Sequence, residues 1–314
     1  VRDARERGEH LIEIPNGTYD IDWRDVPTAT VCVANHGHNG YKSAALVMED
    51  MQDLTVDGGG STFILHGCMD FAIVSRSKNI TIKNLSVRCA DTCNFQGRVV
   101  ASEGSDVTVQ LEEHPKLYLH GTHLFQKFFD NNWEPMGRTL DYIPETRELR
   151  RGSGDENFGM KFHDIPKEYD AENDLLYLHE VPIAPPVGDV IVFTMSRRAG
   201  QAFLLSHSKD VTVENVTVGT CWGMAFIAQK CENVTIRRCK VTPDADRCWS
   251  AGQDATHFLN CRGKVIIEDN VFENQLDDAV NLHGTYTRVD GISENQILVR
   301  YGHFQTRGID IYSV

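Results

Sequence analysis

Asp210-Val211-Thr212-Val213-Glu214-Asn215 is followed 23 residues later by Asn233-Val234-Thr235-Ile236-Arg237-Arg238 and 31 residues after that by Lys264-Val265-Ile266-Ile267-Glu268-Asp269. A fourth copy, Asn79-Ile80-Thr81-Ile82-Lys83-Asn84, lies upstream. All four alternate β-branched residues with period two, the pattern of a short strand. Nine residues before the second position of each copy stand Phe71, Ala202, Ala225 and Thr256, inside apolar segments such as Ala202-Phe203-Leu204-Leu205 and Ala225-Phe226-Ile227-Ala228. Each repeat therefore reads as two strands. Val211, Val234 and Val265 are expected in one column, and Ala202, Ala225 and Thr256 in another. Steps of 23 and 31 residues are too short for a strand, a crossover helix and loops, and they suit one coil of a parallel solenoid. The expected fold is all-β, a right-handed parallel β-helix.

Working outward, Leu54-Thr55-Val56-Asp57-Gly58-Gly59-Gly60 is a Gly-terminated copy, and Ile12 to Tyr19 reads as the first coil. Asn84 and Asn215 hold the same place after their strands, where a stacked Asn bonds within a column of turns. From Ile80 to Val211 the chain runs 131 residues, so roughly a hundred are inserted between successive rungs. The insertion carries strand patterns at Val107–Leu111, Lys116–Leu119, Leu175–Leu178 and Val190–Phe193. A small β-barrel or sandwich is expected over 95–197, with its charged, Gly-rich middle looping over something. The solenoid then comprises 1–94 and 198–285. Residues 286–314 read as the start of a second β insertion that stops unfinished, as in a fragment of a longer protein.

Net charge is −14, which repels a phosphate backbone and argues against nucleic acid as a partner. No apolar run reaches the roughly 18 residues of a membrane span. Nine cysteines include no C-x-x-C; Cys89-x-x-x-Cys93 has no second pair to complete a zinc site, and core-filling thiols are expected. His36-x-His38 stands outside any H-E-x-x-H spacing. Neither a metal nor another cofactor is expected.

The chemistry sits on the repeat. Gly252-Gln253-Asp254-Ala255-Thr256-His257 is answered one coil later by Leu276-Asp277-Asp278-Ala279-Val280-Asn281-Leu282-His283-Gly284. With rungs about 4.8 Å apart, Asp254, Asp277 and Asp278 share one corner. Like charges this close cannot all stay ionised, so one group keeps a proton to donate while another acts as base. The corner one coil earlier holds Trp222, which could stack on a sugar ring, and Gly223, which leaves room for one. His257 and His283 are further candidates for contact with a sugar hydroxyl, as is Arg247.

The Asp254-to-Phe258 run, together with Glu273 to Tyr286, resembles the signature of the α-1,3-galactosidases of glycoside hydrolase family 110. Asn16-Gly17-Thr18-Tyr19, the Gly58–Gly60 segment and Gly223-Met224-Ala225-Phe226-Ile227 extend the likeness. The resemblance implies metal-independent, inverting exo-hydrolysis of terminal α-1,3-linked galactose from an oligosaccharide or glycan, by an exported protein. It further implies Asp277 as general acid, with Asp254 and Asp278 holding and deprotonating the attacking water. Acid and base of an inverting pair are then expected about 6.5–9.5 Å apart. The family 28 polygalacturonases share the layout of one acid followed by a pair, but their basic motif after the pair is absent here. Two rival readings share the scaffold: a polysaccharide lyase, with Arg247 the cation nearest the acids, and a non-catalytic carbohydrate-binding solenoid. The oligomeric state is not legible in the sequence.

Overall fold

A computed structural model describes residues 1–34, 40–92, 94–128, 132–154, 156–195 and 198–302, with Arg2 and Arg5 described by backbone alone. His36, His38 and Cys93 lie outside the described residues. Two parallel sheets make the solenoid. In the first, Gln52–His66, Lys78–Cys89, Lys209–Val218, Glu232–Arg237 and Arg262–Glu268 lie side by side, and Leu54, Ile80, Val211, Val234 and Val265 form one in-register column. The second stacks Gly40–Glu49, Asp70–Ser75, Phe203–Ser206, Phe226–Gln229, Thr256–Leu259 and Val280–His283, all parallel. The chain is a parallel β-helix because each short strand hides its β-branched face against the coil above and below.

The bend within each long strand of the first sheet is fixed by backbone chemistry. Asn84, Asn215, Arg238 and Asp269 take φ of 57°, 51°, 52° and 55° there, a region that Asn and Asp tolerate best among L-residues. Asn215 Nδ2 donates to Asn84 Oδ1 at 2.8 Å, and Asn84 Nδ2 to Asp57 Oδ1 at 2.9 Å. The stacked-Asn expectation for these two positions is met by this ladder. Inside the coil, Phe63, Phe71, Phe203 and Phe226 stack with centroids 4.9, 5.3 and 5.0 Å apart, and the last three are fully buried.

One expected column is corrected. Thr256 pairs with Phe226, not Ala225, and Phe226 with Phe203. The interval from the second-sheet strand to the valine column is eight residues at Phe226 and nine at Thr256. The extra residue is taken up between Glu232 and Val234, where the register shifts opposite Arg262 to Val265 and Gly263 adopts φ +72°. A consequence reaches the acids: Asp278 stands two before Val280 as Asp254 stands two before Thr256, so these two occupy the same place on successive rungs.

Between Cys89 and Phe203 the chain builds a separate antiparallel sheet. Its order is Leu117–His120, His123–Lys127, Trp133–Ile143, Val190–Met195, Phe95–Glu103, Asp106–Leu111, Leu175–Leu178 and Lys167–Asp170. The sheet curls so that Lys167 Nζ, on the last strand, donates to the carbonyl of Thr122 beside the first. Phe158, Phe162, Ile165 and Phe193 fill the inside. Two of its central strands, Trp133–Ile143 and Val190–Met195, pack on the solenoid corner through Leu140, Tyr142, Val190 and Val192 against Cys248, Trp249 and Leu276. A hairpin, Thr287–Ser293 with Gln296–Tyr301, follows the last rung. No disulfide joins any two of the eight described cysteines, and burial pushes Cys221 up to about 12.

Candidate active site

The corner between the two sheets is built by hydrogen bonds from rung to rung. Gly252 N donates to Cys221 O, Gln253 N to Gly223 O, Ala225 N to Asp254 O and Ala255 N to Asp278 O, all within 2.9–3.1 Å. Gly252 is required by contact: a Cβ there would lie 2.7 Å from Trp222 O and 3.0 Å from Asn94 Nδ2. The result presents one carboxylate oxygen from each of Asp254, Asp277 and Asp278 within 4.8 Å of the others. This is nearer than the separation expected of an inverting pair. The cause is the scaffold, since two of the acids are chain neighbours and the third is one rung below. Oxygens this near could share a cation, yet a carboxylate cluster alone assigns none.

The three acids live in different surroundings. Asp254 is 1% exposed, and its Oδ2 lies 2.5 Å from His257 Nδ1. Asp278 is exposed, with Asn281 Nδ2 donating to its Oδ2 at 3.0 Å. Asp277 is exposed as well, its side chain by 33%. Burial first, and then the charge of Asp254, raise its pKa above the ordinary carboxylate value, while Arg198 and Arg138 pull it down. Arg198 Nη2 lies 3.4 Å from Asp277 Oδ2, and Arg138 Nη2 donates to Leu276 O at 2.9 Å. The inserted sheet thus holds the turn that carries the acid pair.

Several residues expected to meet a sugar are differently employed. His257 is 1% exposed, with its ring between Asp254 and His283, whose Nε2 is 3.1 Å from its own. His283 is half-buried. Trp222 is buried with its ring edge-on to Phe128 at 5.1 Å, and its remaining surface faces another cleft. That cleft, about 510 Å³, is lined by Trp23, Phe95, Phe128 and Glu113 among others, and by none of the three acids. Arg247 is committed to Glu113 and Thr92 and lies over the Trp249 ring. Gly223 is buried and serves through its carbonyl. Trp222, Gly223 and His257 are buried, while Arg247 and His283 are half-buried. Sequence reasoning missed Arg138, Arg198 and Asn281. Asn281 was findable as the in-register neighbour of His257; the two arginines, lying within or just after the inserted sheet, left no local signal.

No family model matches the chain. It is 30% identical over 97% of its length to "Alpha-1,3-galactosidase A" of Shewanella woodyi, covering 50% of that protein. It is 29% identical over 99% of its length to "Alpha-1,3-galactosidase B" of Phocaeicola vulgatus, covering 53%. To "Alpha-1,3-galactosidase B" of Bacteroides thetaiotaomicron it is 26% identical over 94% of its length, covering 49%. The chain thus spans about half the length of the curated relatives it matches. Among solved structures, the cedar-pollen allergen jun a 1 aligns with 82% of this chain and 58% of its own at 8% identity and a TM-score of 0.23, a likeness too loose to support any conclusion.

Proposed function

The chain belongs to the α-1,3-galactosidase family, glycoside hydrolase family 110, and from that premise we propose that its acid cluster hydrolyses terminal α-1,3-linked galactose from a glycan. The observation that carries this is the convergence of three carboxylates in three environments at one corner. Asp277, whose pKa burial and the Asp254 charge raise, gives its proton to the leaving oxygen. Asp254 and Asp278 hold and deprotonate the attacking water. Environments that push neighbouring carboxyls apart are what assigns acid and base roles.

Inversion no longer draws support from distance, since a short separation favours a covalent route. It rests on the family resemblance and on the burial of Asp254. A nucleophile must touch the anomeric carbon, whereas a buried carboxylate can act through a water that reaches it. No step is routed through a metal. Exhaustive dialysis against a chelator should leave the rate unchanged; loss of activity, restored by a divalent cation, would replace this mechanism with a metal-assisted one.

The test is to incubate the protein with a panel of α-galactosides and assay free galactose. Release from α-1,3-linked termini is expected. With a uronate glycan added to the panel, an unsaturated, ultraviolet-absorbing product would support elimination, in which Arg198 beside Asp277 is a cation placed to neutralise the uronate carboxylate. Saturable binding of the intact glycan with neither product would support a carbohydrate-binding solenoid.

A further inference from the structure

Asp254, His257 and His283 form a hydrogen-bonded line whose proton count follows from geometry. His283 Nδ1 lies 3.1 Å from the carbonyl oxygen of Gly284, which only accepts, so that nitrogen carries a proton. The Nε2 atoms of His283 and His257 face each other at 3.1 Å, and a hydrogen bond there needs a second proton. The 2.5 Å contact between His257 Nδ1 and Asp254 Oδ2 needs a third. An ionised Asp254 and two neutral imidazoles supply only two. With three protons the line is net neutral, the state in which burying Asp254 and His257 costs least. With two, a pair of lone pairs confront each other at one link.

The line also has a direction. The side chains of Asp254 and His257 are 2% and 1% exposed, whereas His283 is half-buried on the last rung of the second sheet. Asp277 and Asp278 lie at the Asp254 end, and Arg198 and Arg138 act on Asp277. A buried base that takes a proton in every cycle needs a route for that proton to leave.

We propose that His257 and His283 are that route, a proton relay for Asp254; this rests on the hydrolytic reading above. The water oxygen bonds to the anomeric carbon as the bond to the leaving oxygen breaks, and that oxygen takes the proton of Asp277. The water's proton goes to Asp254. The proton of the Asp254–His257 link moves onto His257, that of the His257–His283 link moves onto His283, and His283 yields one to solvent. Asp277 regains a proton from solvent, so one water is consumed and no net proton released. Both histidines act through Asp254 and are positioning residues.

The relay is tested with His257→Ala and His283→Gln, assayed on an aryl α-galactoside. His257→Ala is expected to lower kcat about a hundredfold with little change in KM, and imidazole added to the buffer should restore part of it. His283→Gln, at the more exposed end, should lower kcat and shift its pH profile without changing the melting temperature, which keeps the test usable if His257→Ala does not fold. Both variants keeping kcat within about twofold of the parent, or losing it without rescue or a shifted profile, would overturn the relay. Nitrogen-15 NMR of the unliganded parent reads the line without any activity: three bridging protons are expected, and a proton-free His257–His283 contact would overturn it. Failure of the parent to release galactose is a separate outcome that strikes the hydrolytic reading alone.

Discussion

Asp277 shows how much of the chemistry one residue's surroundings decide. Its raised pKa has burial as the first cause and the Asp254 charge as the second, and both favour the protonated form. A general acid works only while it holds its proton. The rate on a natural disaccharide should therefore fall as pH rises through this raised value, while an aryl galactoside, whose leaving group needs little protonation, should lack that limb. Asp277→Asn should lower turnover of the disaccharide by about 10²–10⁴ and spare part of the aryl activity, whereas Asp278→Asn should impair both. Asp70 makes a stability counterpart away from the site. Burial raises its pKa to about 6, against Lys42 and the hydrogen bonds from Gln201. The folded state then holds a proton that the unfolded chain, with its carboxyl near 3.8, has lost. That contribution is full below the unfolded value and is lost as pH rises through about 6, by on the order of 3 kcal/mol in all. Asp70→Asn should flatten this part of a pH–melting curve, and an unchanged curve would contradict it.

At the scale of the element, the alternating strands were legible because each is short, β-branched and repeated, so the period-two pattern has few competing readings. The bends were legible only where Asn marks them. Arg238 takes the same left-handed conformation as Asn215 with no local preference to announce it. The second-sheet register was misread by one at Thr256, because a single glycine inserted at 263 changes an interval without disturbing either strand's pattern. Stacking accounts for the strength of the coil. Phe203, fully buried between Phe71 and Phe226, should cost about 3–5 kcal/mol on replacement by Ala, and a chemical denaturation curve measures it. A loss under about 1 kcal/mol would mean that the ladder is not the core described.

For the whole molecule, the sequence announces that about a hundred residues leave the solenoid and return, and the alternating segments announce that they are strands. It cannot announce where that sheet leans. Trp222 and Arg247 look available from the repeat alone, yet Phe128 meets the first, and Glu113 with Thr92 binds the second. All three partners come from the excursion. Such contacts depend on tertiary packing between segments far apart in the chain, 134 and 155 residues for the two Arg247 contacts, and no local pattern encodes them. The acids escaped this uncertainty because both of their strands belong to the repeat itself. Arg138 ties the excursion to the acid turn, so Arg138→Ala should loosen the Asp277 position and reduce kcat with a smaller effect on the melting temperature. The most direct measurement is proton NMR of the first sugar released from an α-1,3-linked galactosyl disaccharide by the full-length protein. The site described here predicts β-galactose, appearing before mutarotation and absent with Asp277→Asn; initial α-galactose, or no galactose at all, would contradict it.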